Sequence, residues 1–306
     1  MNVNEMIDCK FWRDKFCNTE FRTGDTLPES GLVYVNIEHI KDFFDKCKQT
    51  DRKYTVVSGY SDFGLAKQSE HSVAQVMVKW FPFLIPEIEK MGYQDLFVPA
   101  RCNKEECDYH DAYSIKCYSF THATFNEIPA NIEKWYVVNL MTKHDRVEGI
   151  PLGVGEGDVE LISKIASSPP KRDGMLYVNW QTYTSERMQL KQYFINNNFS
   201  WATCQEEPNV PKEEYLKEMA RHQFVLCPDG NGVDSHRLWE ALYLGCIPIV
   251  IDSDTYSSFD GLPLIRINSF YYLTGDVLKE LSEKIASRPK DLSKATVSHW
   301  AKRIKR

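Results

Sequence analysis

Short apolar runs alternate along this chain with longer stretches whose apolar residues recur at helical spacing. That alternation predicts an α/β sheet in each half. In the first half, Val33-Tyr-Val-Asn36 reads as a strand and residues 37–47 as the helix after it. Tyr54-Thr-Val-Val-Ser-Gly59 reads as a buried strand closed by a glycine turn. Residues 70–91 look helical with a proline interruption, and Leu96–Val98, Ser114–Ser119 and Lys134–Asn139 are further short strands. Four glycines and one proline fall between Gly149 and Asp158, which predicts a linker or turn there and two domains, 1–152 and 153–306. After a helix over 159–167 the pattern restarts: strand Met175–Asn179, helix 185–197, strand Ser200–Thr203, helix 211–221, strand Phe224–Leu226, helix 235–244 and strand Ile247–Ile251. Helices over 276–287 and 291–304 close the chain, and the last is expected to return to the first domain.

A length of 306 residues suits two such units. The net charge of -6 argues against a nucleic-acid binder, because neutralising phosphates needs an excess of Lys and Arg. No run reaches the roughly 20 apolar residues of a membrane span, and the first residues lack the basic and apolar regions of a signal peptide. The nine cysteines are odd in number and form no repeated CxxC, so free thiols in a reducing compartment are expected rather than disulfides or zinc. The expectation is a cytoplasmic protein.

The chemistry concentrates in Phe224–Val250. An apolar strand ends at Cys227, Pro228 and Asp229 open a turn, and Gly230 and Gly232 permit close approach of the main chain. Asp234 or Ser235 then caps a helix. The start of a helix behind a glycine turn is suited to a diphosphate, through free N–H groups and the positive dipole end. Arg237 sits in that first turn, where a cation opposes the dipole unless an anion lies between them. Glu240 follows on the same face, placed for ribose hydroxyls. The alternative is a surface ion pair between Arg237 and Glu240 worth a few tenths of a kcal/mol, and the residues alone leave both readings open.

The run Asp229-Gly-Asn-Gly-Val-Asp-Ser-His-Arg-Leu-Trp-Glu-Ala-Leu-Tyr-Leu-Gly-Cys-Ile-Pro-Ile-Val250 resembles the C-terminal signature of exostosin-like glycosyltransferases, in the branch that includes the animal ribitol xylosyltransferase. Leu176-Tyr-Val-Asn-Trp-Gln-Thr182 with Glu186-Arg187, Lys134–Asn139 and Ile150–Gly153 are weaker echoes of the same family. The resemblance implies a GT-B architecture, two Rossmann-like domains facing a central cleft, with the nucleotide in the second. It implies an inverting, metal-independent transfer from a UDP-sugar, UDP-xylose first, to a glycan or glycolipid hydroxyl, with no separate cofactor. Carried onto this chain, Ser235 and Arg237 hold the diphosphate, His236 is a further donor-binding residue, Glu240 holds the ribose, Gly230, Asn231 and Gly232 lie under the phosphates or sugar, and Arg187 is a second phosphate contact after a loop with Asn179 and Thr182. Where many relatives have Pro-Arg-Gly, this chain has Pro228-Asp229-Gly230, and Asp229 cannot itself bind phosphate.

An inverting transfer needs a base for the acceptor hydroxyl. Asp62, on a glycine-flanked loop past the strand ending at Ser58, is the first candidate, ahead of Glu70, His71, His110 and Asp111. Tyr60, Trp135, Trp180 and Tyr183 are either sugar platforms or core residues. Two rivals remain. Asp252-Ser-Asp254 is the spacing a metal-dependent transferase uses, and a binding protein with an inactive site would share the signature.

Overall fold

The computed structural model describes residues 2–29, 31–36, 39–59, 128–140, 144–181, 185–205, 210–230, 232–286 and 291–305. Two five-stranded sheets, parallel throughout, carry the fold. The first runs β1 (Glu20–Phe21), β2 (Leu32–Val35), β3 (Tyr54–Ser58), β4 (Ile132–Val138) and β5 (Val147–Ile150), in chain order. Its helix α1 (Ile40–Cys47) buries Ile40, Phe43, Phe44 and Cys47, the i, i+3, i+4, i+7 stripe of a helix packed on a sheet. Trp135 of β4 is core, its ring edge-on to Phe44 and its indole N–H donating to Ser58 Oγ at 2.9 Å.

The second sheet has the order β10-β9-β8-β6-β7. Its strands are β6 (Gly174–Val178), β7 (Ala202–Cys204), β8 (His222–Leu226), β9 (Ile247–Ile251) and β10 (Ile265–Ile267). The helices of this half are α2 (Asp158–Ser167), α3 (Ser185–Asn197), α4 (Lys212–Ala220), α5 (His236–Tyr243), α6 (Gly275–Ala286) and α7 (Val297–Ile304). The chain leaves β6 to one side for β7, then returns to the other side for β8. The strand order therefore reverses between β6 and β8. In an open parallel sheet ligands collect at the carboxyl ends of the two strands flanking that reversal. The α/β class with two Rossmann-like sheets is thus as the pattern predicted.

The Gly149–Asp158 stretch, expected to be a linker or turn, leaves β5 and turns into α2, and it is tightly packed. Gly149 and Ile150 end β5, and Leu152 and Val154 are buried. Val154 exchanges main-chain bonds with Ile7 and Cys9, and Trp12 donates its indole N–H to the Pro151 carbonyl at 2.7 Å. Gly153 has φ +80°, and a Cβ there would fall on the Ile7 carbonyl. These glycines serve close packing. The N-terminal segment wedges the crossing against the second half, where Tyr243 Oη accepts from Ile7 N–H at 3.0 Å. The last helix also starts later than predicted, because Thr296 caps it by accepting from His299 N–H. Trp300 of α7 packs edge-on against Trp12, and Arg303 bonds Glu148 of β5.

Candidate functional site

The second sheet's reversal point gathers the signature residues. Asn179 and Trp180 follow β6, the turn Cys227–Gly230 follows β8, and α5 begins at the mouth of that turn. Trp180 is buried, and its indole N–H donates to the Arg187 carbonyl at 3.0 Å, tying the loop to α3. The Arg187 side chain crosses back. Its Nε donates to the Asp229 carbonyl at 2.6 Å and its Nη2 to the Pro228 carbonyl at 3.0 Å. Arg187 therefore clamps the loops after β6 and β8 together. Burial, and then the neighbouring Arg237 charge, lower its pKa to about 10. Gly230 leaves room for this clamp, since a Cβ there would lie 3.2 Å from Arg187 Nη2.

Arg237, second residue of α5, lies with its guanidinium carbon 5.3 Å from the Tyr215 ring centroid and 6.0 Å from that of Trp180. Its Nε and Nη1 are buried and have no hydrogen-bond partner. The residue as a whole is half-buried, and two buried donors left unspent are costly unless an acceptor completes them. It stands at the N-terminus of a helix whose N-cap, Ser235, makes no side-chain capping bond. Both features favour an anion.

Glu240 lies one turn along, 3% exposed. It does not pair with Arg237. Its Oε1 takes Lys212 Nζ at 2.6 Å and its Oε2 accepts from Tyr215 Oη–H at 2.9 Å. Burial works against its charge, yet Lys212, Arg237 and the Tyr215 hydroxyl outweigh it and hold the carboxyl below its ordinary range. Lys212 also reaches Asp158 Oδ2 at 2.9 Å. Lys212 and Tyr215 were missed by sequence reasoning. The signal available was their i, i+3 spacing at the start of a predicted helix, which puts both on one face.

Asn179 donates its Nδ2–H to Tyr177 Oη at 3.0 Å, and its Oδ1 is buried without a partner. His236 Nδ1 lies 2.8 Å from the Gly153 carbonyl. Asp234 is likewise structural. Its Oδ2 accepts from Leu152 N–H at 2.8 Å and its Oδ1 from the Trp239 indole at 2.7 Å, while its own N–H donates to Asn139 Oδ1. Burial raises its pKa to about 7 against these bonds. Gly232 lies in the turn, its carbonyl accepting from Gly230 N–H at 2.8 Å. Thr182, Asn231 and Asp62 lie outside the described residues, as do Tyr60, Tyr183, Glu70, His71, His110 and Asp111. Asp252 pairs with Arg266 at 3.6 Å. Among the described residues no group of three or more His, Cys, Asp and Glu is placed to hold a metal ion, and no helix is long and apolar enough to cross a membrane.

With this geometry in place, the family comparison falls on the same half of the chain. Residues 161–261 match the exostosin GT47 domain. That span holds most of α2, all of α3 to α5, the reversal point and every described residue of the candidate site from Asn179 to Glu240. A curated relative, a probable glucuronosyltransferase of Oryza sativa subsp. japonica, is 37% identical over 79 residues. Those residues are 26% of this chain and 19% of that protein, so this chain matches about a fifth of its relative's length. Among solved structures, the glycotransferase of kitacinnamycin aligns over 96% of this chain and 71% of its own, at 11% identity and a TM-score of 0.34. A likeness that low carries no argument, and the fold stands on the two sheets themselves.

Proposed function

We propose that this chain is a glycosyltransferase that moves a sugar from a UDP-linked donor to a hydroxyl on a glycan or glycolipid, with inversion and without a metal ion. The observation that carries the reading is Arg237: a half-buried guanidinium whose Nε and Nη1 are buried with no partner, at a helix N-terminus, at the reversal point of a parallel sheet. The match of residues 161–261 to the exostosin GT47 domain supports the same chemistry.

In this reading the donor's diphosphate sits on Arg237 and the first turn of α5. The acceptor oxygen attacks the anomeric carbon while the bond to the β-phosphate oxygen breaks. The electron pair leaves with the diphosphate, whose growing charge is met by Arg237 and the helix dipole. The acceptor's proton goes to a base, and Asp62 is the residue proposed. Arg187 adds positive potential while holding the turn, and Glu240 keeps lone pairs for ribose hydroxyls beyond its two bonds. UDP-xylose is the first donor proposed, from the resemblance of Asp229–Val250 to the ribitol xylosyltransferase branch. The rice relative's name favours UDP-glucuronate as the second. The described cysteines are free, which supports a reducing, cytoplasmic setting.

The test is a donor screen: hydrolysis and transfer from UDP-xylose, UDP-glucuronate and other UDP-sugars, with and without excess chelator. Turnover of one donor, undiminished by chelator, is expected. UDP binding without turnover of any donor would leave a binding protein, and loss of turnover in chelator would return the metal-dependent reading.

A further inference from the structure

Arg237 and Glu240 are three residues apart on one helix, and at that spacing an arginine and a carboxylate ordinarily find each other. Here they do not. Lys212 Nζ at 2.6 Å and Tyr215 Oη at 2.9 Å each hold one oxygen of Glu240, and both come from α4. The same Tyr215 ring lies 5.3 Å from the Arg237 guanidinium carbon, so one side chain holds both members apart. Arg237 is left with Nε and Nη1 buried and open. Without α4's two groups, the open donors of Arg237, three residues away on the same helix, would compete for that buried carboxylate.

We infer that Lys212 and Tyr215 are positioning residues that occupy Glu240 and so keep Arg237 open for an anion. The collapsed alternative, a Glu240–Arg237 pair, would close the anion position from within. This inference rests on the proposed diphosphate site and names the device that keeps it available. It also gives α4 a functional face: Asp158 of α2 braces Lys212 at 2.9 Å from behind, and Tyr215 reaches across to α5.

Inorganic pyrophosphate is the probe, because it lacks the ribose that Glu240 is proposed to hold. Its affinity is measured by calorimetry on the full chain. Tyr215→Phe keeps the ring and the net charge while freeing one Glu240 oxygen. It should weaken pyrophosphate binding by about tenfold to a hundredfold, the worth of a charged hydrogen bond captured by Glu240. Adding Glu240→Gln to Tyr215→Phe should restore wild-type affinity, since the competing charge is gone. Lys212→Met should weaken binding in the same direction, and Lys212→Met with Glu240→Gln should restore it. A merely structural role would leave the double variants as weak as the single ones, and that result overturns the inference. So does unchanged affinity in Tyr215→Phe and Lys212→Met alike. If the wild-type chain binds neither pyrophosphate nor UDP, the anion site itself has failed, which is a separate outcome.

Discussion

Replacing Arg237 by Met separates a binding residue from a structural one, because the two roles predict opposite changes in stability. Its Nε and Nη1 are buried without partners, and an orphaned buried donor costs about 1–3 kcal/mol. Methionine removes both donors and the charge but keeps an unbranched stem of similar reach. Against that gain stand the ring contacts with Tyr215 and Trp180, on the order of 0.5–2 kcal/mol each. The repulsion that lowers the Arg187 pKa also disappears. The balance is a ligand-free protein as stable as the wild type or more so, by roughly 0–3 kcal/mol. In a chain of this size each kcal/mol moves the melting temperature by about 2 °C or slightly less. Nucleotide binding goes the other way. Losing two charge-assisted bonds at about 1.5–3 kcal/mol each weakens UDP by a hundredfold or more. Thermal melts with and without UDP read both quantities at once: the variant should melt at or above the wild type alone, and UDP should no longer raise it. A variant that melts several degrees lower while UDP still protects it would refute the reasoning, since Arg237 would then be packing rather than binding.

Asp62→Asn should abolish transfer and leave UDP affinity intact, measured by turnover and calorimetry on one preparation; retained turnover removes Asp62 as the base. Asp234 has a folded pKa of about 7 against an ordinary 3.8. A raised carboxyl keeps its proton in the folded state, so its contribution to stability is full below about pH 4 and is lost as pH rises to about 7, on the order of 4 kcal/mol in all. Asp234→Asn lacks this titration but turns a donor toward Leu152 N–H or the Trp239 indole, so it should be less stable at pH 5 and lose much of that deficit by pH 8 in urea unfolding. Parallel curves for the two proteins would reject the assignment. Gly153→Ala puts a methyl group on the Ile7 carbonyl at positive φ, and should lower the unfolding free energy by about 2–4 kcal/mol, read as the urea midpoint; an unchanged midpoint would contradict the packing described.

Much of the second half was legible because its elements are long or strongly patterned. The helix over 185–197 and the strand Ile247–Ile251 have the predicted bounds, and Gly245, at φ +76°, follows the end of α5 in the left-handed region. Three strands were not foreseen. Glu20–Phe21 and Ile265–Ile267 are too short to show a period, and β5 was hidden by Gly149. Glycine and proline usually punctuate a chain, so the Gly149–Asp158 stretch looked like a linker. Its glycines instead admit the Ile7 carbonyl and the Ser258 side chain at contact distance, a requirement set by residues distant in sequence.

The site divides along the same line. Local sequence placed Arg237, Glu240 and the glycine turn beside one helix start, since all three lie within a dozen residues of chain. It could not choose between an open arginine and an intrahelical ion pair, because spacing along α5 serves both. The choice is made by Lys212 and Tyr215, 28 and 25 residues earlier in the chain than Glu240. They reach Glu240 only because β8 lies between β6 and β9, which brings α4 against α5. Strand order is a non-local property with no period to read. His236 shows the converse. It lies inside the signature and beside Arg237, yet its ring is spent on the Gly153 carbonyl. Adjacency on a helix start is therefore a weaker guide to binding than an unspent buried donor, and that criterion selects Arg237 over its neighbours Ser235 and His236.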